Sequence, residues 1–220
     1  MSEVFDCNDS SKLIGAARAA RQAIGRGELV VLPTDTVYGV AADAFTPAAV
    51  QRLLDAKGRG RQSPPPVLIP NTDTLAALAA EVVPAVTKLA EACWPGPLTI
   101  VLRANPSLSW DLGETHGTVA LRIPKHDLAL ELLAETGPLA VSSANTTGDP
   151  AARTASEARG MLGDAVAVYL DAGDAGESPA STIVDATGLD AEGGTLRVLR
   201  LGGVSLERLA EVLPQVTIEE

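Results

Sequence analysis

Glu28-Leu29-Val30-Val31-Leu32 followed by Pro33 constrains the fold more than any other stretch of the chain. Four consecutive apolar residues stopped by a proline are short for a helix and rich in β-formers, so the run reads as a buried strand. Before it, Leu13, Ala17, Ala20 and Ile24 recur at i, i+4, i+7 and i+11, which predicts a helix with one apolar face, capped by Ser10 or Ser11 and ending at Gly25 and Gly27. After it, Thr46-Pro47 supplies a cap and a first-turn proline for a helix carrying Val50, Leu53 and Leu54. Strand and helix alternate from the start.

The alternation continues through a strand at Val67-Leu68-Ile69, helices near Thr74 to Ala80 and Pro84 to Cys93, and strands at Leu98 to Leu102 and Val119 to Ile123. A helix over Asp127 to Thr136, a strand at Leu139-Ala140-Val141 and a helix from Thr154, with Glu157 completing a capping box, come next. Strands around Val166 to Leu170, Thr182 to Asp185 and Leu196 to Leu199 precede a last helix capped by Ser205. Several consecutive strands, such as the last pair and the pair around Leu98 and Val119, have no helix between them, so the expected fold is α/β with a mixed parallel and antiparallel sheet and flanking helices. No linker or repeat divides the chain, which predicts one domain over residues 1–220 with its core at about 10–203, a short C-terminal helix and a solvated acidic tail at Glu219-Glu220.

With 46% hydrophobic residues and 20% charged, the 220-residue chain sits in the globular range. No apolar run reaches bilayer length, and Met1-Ser2-Glu3 lacks the basic start of a secretory signal, so a soluble cytoplasmic protein without membrane contact is expected. Cys7 and Cys93 read as reduced thiols, and His116 and His126 are isolated, so no protein-held metal is expected. Seventeen Lys and Arg stand against 28 Asp and Glu, a net charge of −11. That balance argues against a protein built to neutralise nucleic-acid phosphates, and any phosphate ligand must meet a local basic patch.

Three segments carry possible chemistry. Pro33-Thr34-Asp35-Thr36-Val37-Tyr38-Gly39 crowds hydroxyls, a carboxylate and a phenol at a strand end, where open α/β sheets bind ligands. A turn in which Thr34 and Asp35 satisfy their own backbone is the alternative. Lys57-Gly58-Arg59-Gly60-Arg61 puts three cations into five residues of an acidic chain, a patch able to wrap a polyphosphate or to remain a solvated loop at a helix C-terminus. Val141-Ser142-Ser143-Ala144-Asn145-Thr146-Thr147-Gly148 again sets polar groups at a strand end, without the GxSxG pattern or a placed histidine that serine catalysis needs. GxxxxGK[ST] and GxGxxG are absent, so a nucleotide would be held differently from a P-loop or Rossmann site. Arg122, at the end of Val119-Ala120-Leu121-Arg122-Ile123-Pro124, adds a cation or a structural ion pair.

Together with Trp94-Pro95-Gly96-Pro97-Leu98-Thr99 and Ser181-Thr182-Ile183-Val184-Asp185, these segments resemble, in order and spacing, the threonylcarbamoyl-AMP synthase family, the YrdC-like domain. The resemblance implies a twisted sheet with a concave site and the condensation of L-threonine, bicarbonate and ATP to threonylcarbamoyl-AMP and pyrophosphate. The product would pass to a separate tRNA-modifying transferase. By motif, Lys57 and Arg59 would be catalytic; Thr36, Lys57, Arg122, Ser143 and Ser181 would lie near threonine; and Arg59, Ser63, Thr118, Asn145 and Arg200 would lie near ATP, with Mg²⁺ travelling with the nucleotide. Many members carry a histidine at a position near Leu68, where this chain has Pro64-Pro65-Pro66-Val67-Leu68-Ile69-Pro70. Larger members add a C-terminal domain beyond the point where this chain ends. A same-fold paralogue that only binds RNA or nucleotide is the alternative, which retention of Lys57 and Arg59 disfavours. A third is the carbamoyl-adenylate domain of hydrogenase maturation, whose zinc-finger and acylphosphatase segments are not legible here. Direct tRNA binding is expected to be weak.

Overall fold

The computed structural model describes residues 2–189 and 194–220, so Met1 and residues 190–193 of the expected 1–220 span lie outside the described residues. In chain order the elements are β1 (Glu3–Asp6), α1 (Leu13–Gly25), β2 (Leu29–Leu32), β3 (Gly39–Asp43), α2 (Pro47–Lys57), β4 (Val67–Leu68), α3 (Thr72–Leu78), α4 (Pro84–Cys93) and β5 (Leu98–Arg103). They continue with β6 (Thr118–Arg122), α5 (Asp127–Thr136), β7 (Leu139–Ser143), α6 (Ala155–Leu162), β8 (Val166–Asp171), β9 (Thr182–Asp185), β10 (Thr195–Arg200), α7 (Leu206–Val212) and β11 (Thr217–Glu219). The strands form one mixed sheet in the order β1-β8-β2-β3-β7-β4-β6-β5-β9-β10-β11. The expected pairs β5 with β6 and β9 with β10 are antiparallel, and so is β2 with β3, which follow one another without an intervening helix.

The two halves of the sheet are covered differently, and this creates the site. Around β2, both faces carry helices: Val30 and Leu32 pack in the cluster of α1 and α5, while Leu29 and Val31 pack in that of α2 and α6. In the β4-β6-β5-β9-β10 half, Leu98, Ile100 and Leu102 turn one face toward α3, α4 and α7. Strand alternation sends the intervening Thr99 and Val101 to the opposite face, where they line a cavity.

Several local expectations change. Lys12, not Ser10 or Ser11, occupies the N-cap position of α1, because Ser11 Oγ donates to Asp9 Oδ1 at 2.6 Å. Thr46 precedes α2 without capping it, its hydroxyl donating instead to Asp43 Oδ2 at 2.7 Å. Asn71 caps α3, which begins two residues earlier than expected. Thr154 Oγ1 accepts from Glu157 N, and the Glu157 carboxylate accepts from Arg153 N, one residue short of a standard capping box. Ser205 caps α7 through Arg208 N. The C-terminal segment read as a tail carries the edge strand β11, parallel to β10 with Leu196 opposite Ile218, although Glu219 and Glu220 remain exposed. β1 likewise lies outside the expected core boundary and pairs in parallel with β8.

Candidate active site

The cavity has a volume of about 770 Å³ and lies over the helix-free sheet face. Thr36, Lys57, Arg59, Ser63, Thr118, Arg122, Ser143, Asn145, Ser181 and Arg200, every site residue expected from sequence, line it. They come from segments spread over the chain, and the sheet order brings them together.

Helix α2 ends at Gly58, whose φ of +60° is a left-handed C-cap. That turn leaves Lys57 as the last helical residue, its side chain buried. Lys57 Nζ donates to the carbonyl oxygens of Ser143 at 2.5 Å and Asn145 at 2.6 Å. Burial, helped by the nearby Arg59 charge, pulls its pKa down to about 8. The lysine is therefore fixed on the turn after β7 and is not the mobile phosphate-wrapping charge that the loop suggests. Arg59 reaches Ser142 Oγ at 3.2 Å, and burial lowers its pKa.

Arg61 leaves the basic patch. It pairs with Asp111 at 2.6 Å on the exposed surface and is not part of the cavity wall. The cation that joins Arg59 is Arg200, whose pKa falls through burial and then through the Arg59 charge. A register shift between Val198 and Arg200 breaks strand alternation, so the consecutive Leu199 and Arg200 both face the cavity. Arg200 Nη2 donates to the Ser181 carbonyl at 2.7 Å and to Ser181 Oγ at 3.0 Å, and Ser181 Oγ meets Thr99 Oγ1 at 3.0 Å.

Arg122 is buried at the end of β6. Its Nε donates to Gly96 O at 2.9 Å, Nη1 to Thr36 Oγ1 at 3.2 Å and Nη2 to Asp35 Oδ1 at 2.7 Å. Gly96 has to be glycine, since a Cβ there would lie 2.5 Å from Cys93 O. Thr34 Oγ1 donates to Val37 O at 2.6 Å and lies 3.1 Å from Thr36 Oγ1, so the turn does satisfy its own backbone while it presents hydroxyls. Asn145 donates from Nδ2 to Thr146 O and Asp149 O, both at 2.8 Å, and its Oδ1 is buried without a partner. Also on the cavity wall, Thr118 Oγ1 donates to Thr115 O at 2.7 Å, and Ser63 N donates to Gly60 O at 3.2 Å.

Tyr38 is not a site residue. It is fully buried, and its hydroxyl donates to Gly173 O at 2.6 Å and accepts from Ala172 N at 3.0 Å, tying β3 to the end of β8. Two residues with a part in the site were quoted only as motif members. Thr99 is the alternate-face hydroxyl of β5, and strand periodicity after Leu98 was the available signal. Asp35 stands behind Arg122, a position that only the three-dimensional pairing reveals. Leu68 puts an apolar side chain on the cavity wall. Among the described residues no cluster of three or more His, Cys, Asp or Glu could hold a metal, and the carboxylate of the cavity wall is Asp149. Buried cations beside buried hydroxyls suit an anionic, hydroxyl-bearing ligand.

The pattern of the Sua5, YciO and YrdC family, described as telomere recombination, matches residues 22–202. A Mycobacterium leprae protein provisionally named threonylcarbamoyl-AMP synthase is 52% identical over 213 residues, covering 97% of this chain and 94% of the relative. The threonylcarbamoyl-AMP synthase of Pyrococcus abyssi is 34% identical over 202 residues, covering 91% of this chain and 58% of that protein. The crystal structure of P. abyssi Sua5 complexed with L-threonine superposes with a TM-score of 0.86 at 31% identity, covering 99% of this chain and 63% of that one. By sequence pattern, by relatives and by fold, the chain belongs to the Sua5, YciO and YrdC family.

Proposed function

We propose that the protein is an L-threonylcarbamoyladenylate synthase, a nucleotidyltransferase. The observation that carries this reading is the convergence of Lys57, Arg59, Arg122 and Arg200 with the hydroxyls of Thr36, Thr99, Ser143 and Ser181 in one cavity of an otherwise acidic chain. The threonine-bound relative supports the amino-acid part of the reading.

The site divides into two ends. Arg122, with Thr36 beside it, holds the α-carboxylate of threonine, and Ser143 and Ser181 face its hydroxyl and amine. Arg59 and Arg200, the latter bonded to Ser181, take the phosphates, with Ser63, Thr118 and Asn145 around the nucleotide. The threonine amine adds to the carbon of bicarbonate with loss of water, giving a carbamate. A carbamate oxygen then attacks the α-phosphorus of ATP; the bond to the bridging oxygen breaks, and pyrophosphate leaves. Lys57 and Arg59 stabilise the charge that builds on phosphate and carbamate. Mg²⁺ would enter with ATP, where Asp149 is the cavity carboxylate that could help to hold it, and would neutralise phosphate charge.

The product is a mixed anhydride ready for acyl transfer, so it passes to a separate transferase that modifies tRNA. With a net charge of −11 and only a few clustered cations, the chain itself repels tRNA at long range. The cytoplasm suits the use of ATP and the free Cys7 and Cys93, and among the described residues no helix is long and apolar enough to cross a membrane. Incubation with ATP, Mg²⁺, bicarbonate and L-threonine, followed by mass detection of the adenylate, tests the assignment. An adenylate is expected; tight tRNA binding with no adenylate would favour the RNA-binding reading.

A further inference from the structure

We infer that Asp35 is a positioning residue for Arg122, holding the guanidinium in the orientation that presents its two free N–H groups to the substrate carboxylate. The inference rests on the proposed role of Arg122 as the carboxylate partner and adds a residue that does not itself line the cavity. Asp35 lies in the β2–β3 connection, its side chain 13% exposed against 8% for Arg122. Its Oδ1 accepts both from Arg122 Nη2 at 2.7 Å and from the backbone N–H of Lys125 at 2.9 Å, so one oxygen joins the end of β6 to a loop ninety residues earlier.

Arg122 has five N–H groups. Nε is spent on Gly96 O, one hydrogen of Nη1 on Thr36 Oγ1 and one of Nη2 on Asp35. One N–H remains on each Nη, the number a two-oxygen carboxylate requires for a forked pair. Without Asp35, Nη2 loses its anchor and the fork is free to rotate. The Asp35 charge also offsets the burial that disfavours the charged guanidinium. Both bonds fall on the same oxygen, so an isosteric amide can keep them.

Calorimetric titration of wild type, Asp35→Asn and Asp35→Ala with L-threonine, L-threoninamide and ATP tests this. Asp35→Ala is expected to bind threonine at least about tenfold more weakly and to lose most of the preference for threonine over its carboxyl-neutral amide. Asp35→Asn is expected to stay within about threefold of wild type, and ATP affinity to change less than about twofold in both. If Asp35→Ala does not fold, Asp35→Glu, which pushes the carboxylate out by one methylene, is expected to show the same selective loss. Wild-type threonine binding in the Ala or Glu variant, or an equal loss for all three ligands, overturns the inference alone. A wild-type protein that bound ATP but no threonine would overturn the reading of the site, and this inference with it.

Discussion

Lys57 Nζ stands 2.6 Å from the carbonyl oxygen of Asn145 and 2.5 Å from that of Ser143, so the last residue of α2 holds the turn after β7 in place. Two of its three N–H groups are spent on the protein, and the third is left for a ligand.

Lys57→Met keeps the volume of the stem and removes all three donors. Turnover is expected to fall at least about tenfold, as on loss of a transition-state charge stabiliser. Leaving the Asn145 carbonyl without this donor should also cost about 1–3 kcal/mol of stability. Steady-state rates beside thermal unfolding check both; wild-type turnover in a folded variant would remove Lys57 from the chemistry.

Lys57 also sets a pH dependence. Its pKa is about 8 in the folded protein against an ordinary 10.5, so between these values the unfolded chain holds a proton that the native state lacks. Its contribution to stability therefore rises with pH through that window, while activity that needs the ammonium falls. The pH profile of kcat/KM, which reports the ligand-free protein, is expected to decline above about pH 8 without a matching loss of folded protein by circular dichroism. A rate flat to pH 10 contradicts the assigned role.

Arg59 and Arg61 are neighbours in sequence with opposite fates. Arg59→Ala is expected to lower turnover at least about tenfold. Arg61→Ala removes the exposed pair with Asp111 and a 3.3 Å hydrogen bond to Gln51 Oε1, and should change stability by at most about 1 kcal/mol, with turnover within about twofold. Parallel rate measurements check the contrast, which fails if both variants lose activity alike.

The contrast also shows what the sequence carried. Apolar periodicity placed the α-helices of the described residues and most central strands, because Leu29 to Leu32 or Leu98 to Leu102 announce burial through composition alone. Gly39–Asp43 carries no strand signal of its own, since Val40 is its one β-branched residue among Gly39, Ala41 and Ala42, and it owes its conformation to pairing with β2 and β7. The edge strands β1 and β11 were missed because three or four half-exposed residues leave no hydrophobic pattern. In the site, residue types at strand ends were legible. Which cations converge was not, since Arg61 and Arg200 differ by the pairing of β9 with β10 and by a bulge, neither of which leaves a local mark.

Direct tRNA affinity is expected to be roughly 100 μM or weaker at physiological salt, the non-specific range for a protein with few phosphate contacts. Fluorescence anisotropy at several salt concentrations measures it. Sub-micromolar binding that survives physiological salt would contradict the reading of the cation cluster as a triphosphate site.

Pyrophosphate release from ATP and Mg²⁺, followed with and without L-threonine and bicarbonate, tests the central claim most directly. The carbamate must form before the α-phosphorus is attacked, so release is expected only when both are present, and replacing threonine with serine should slow it. Equal release without bicarbonate, or with serine in place of threonine, would contradict the assignment.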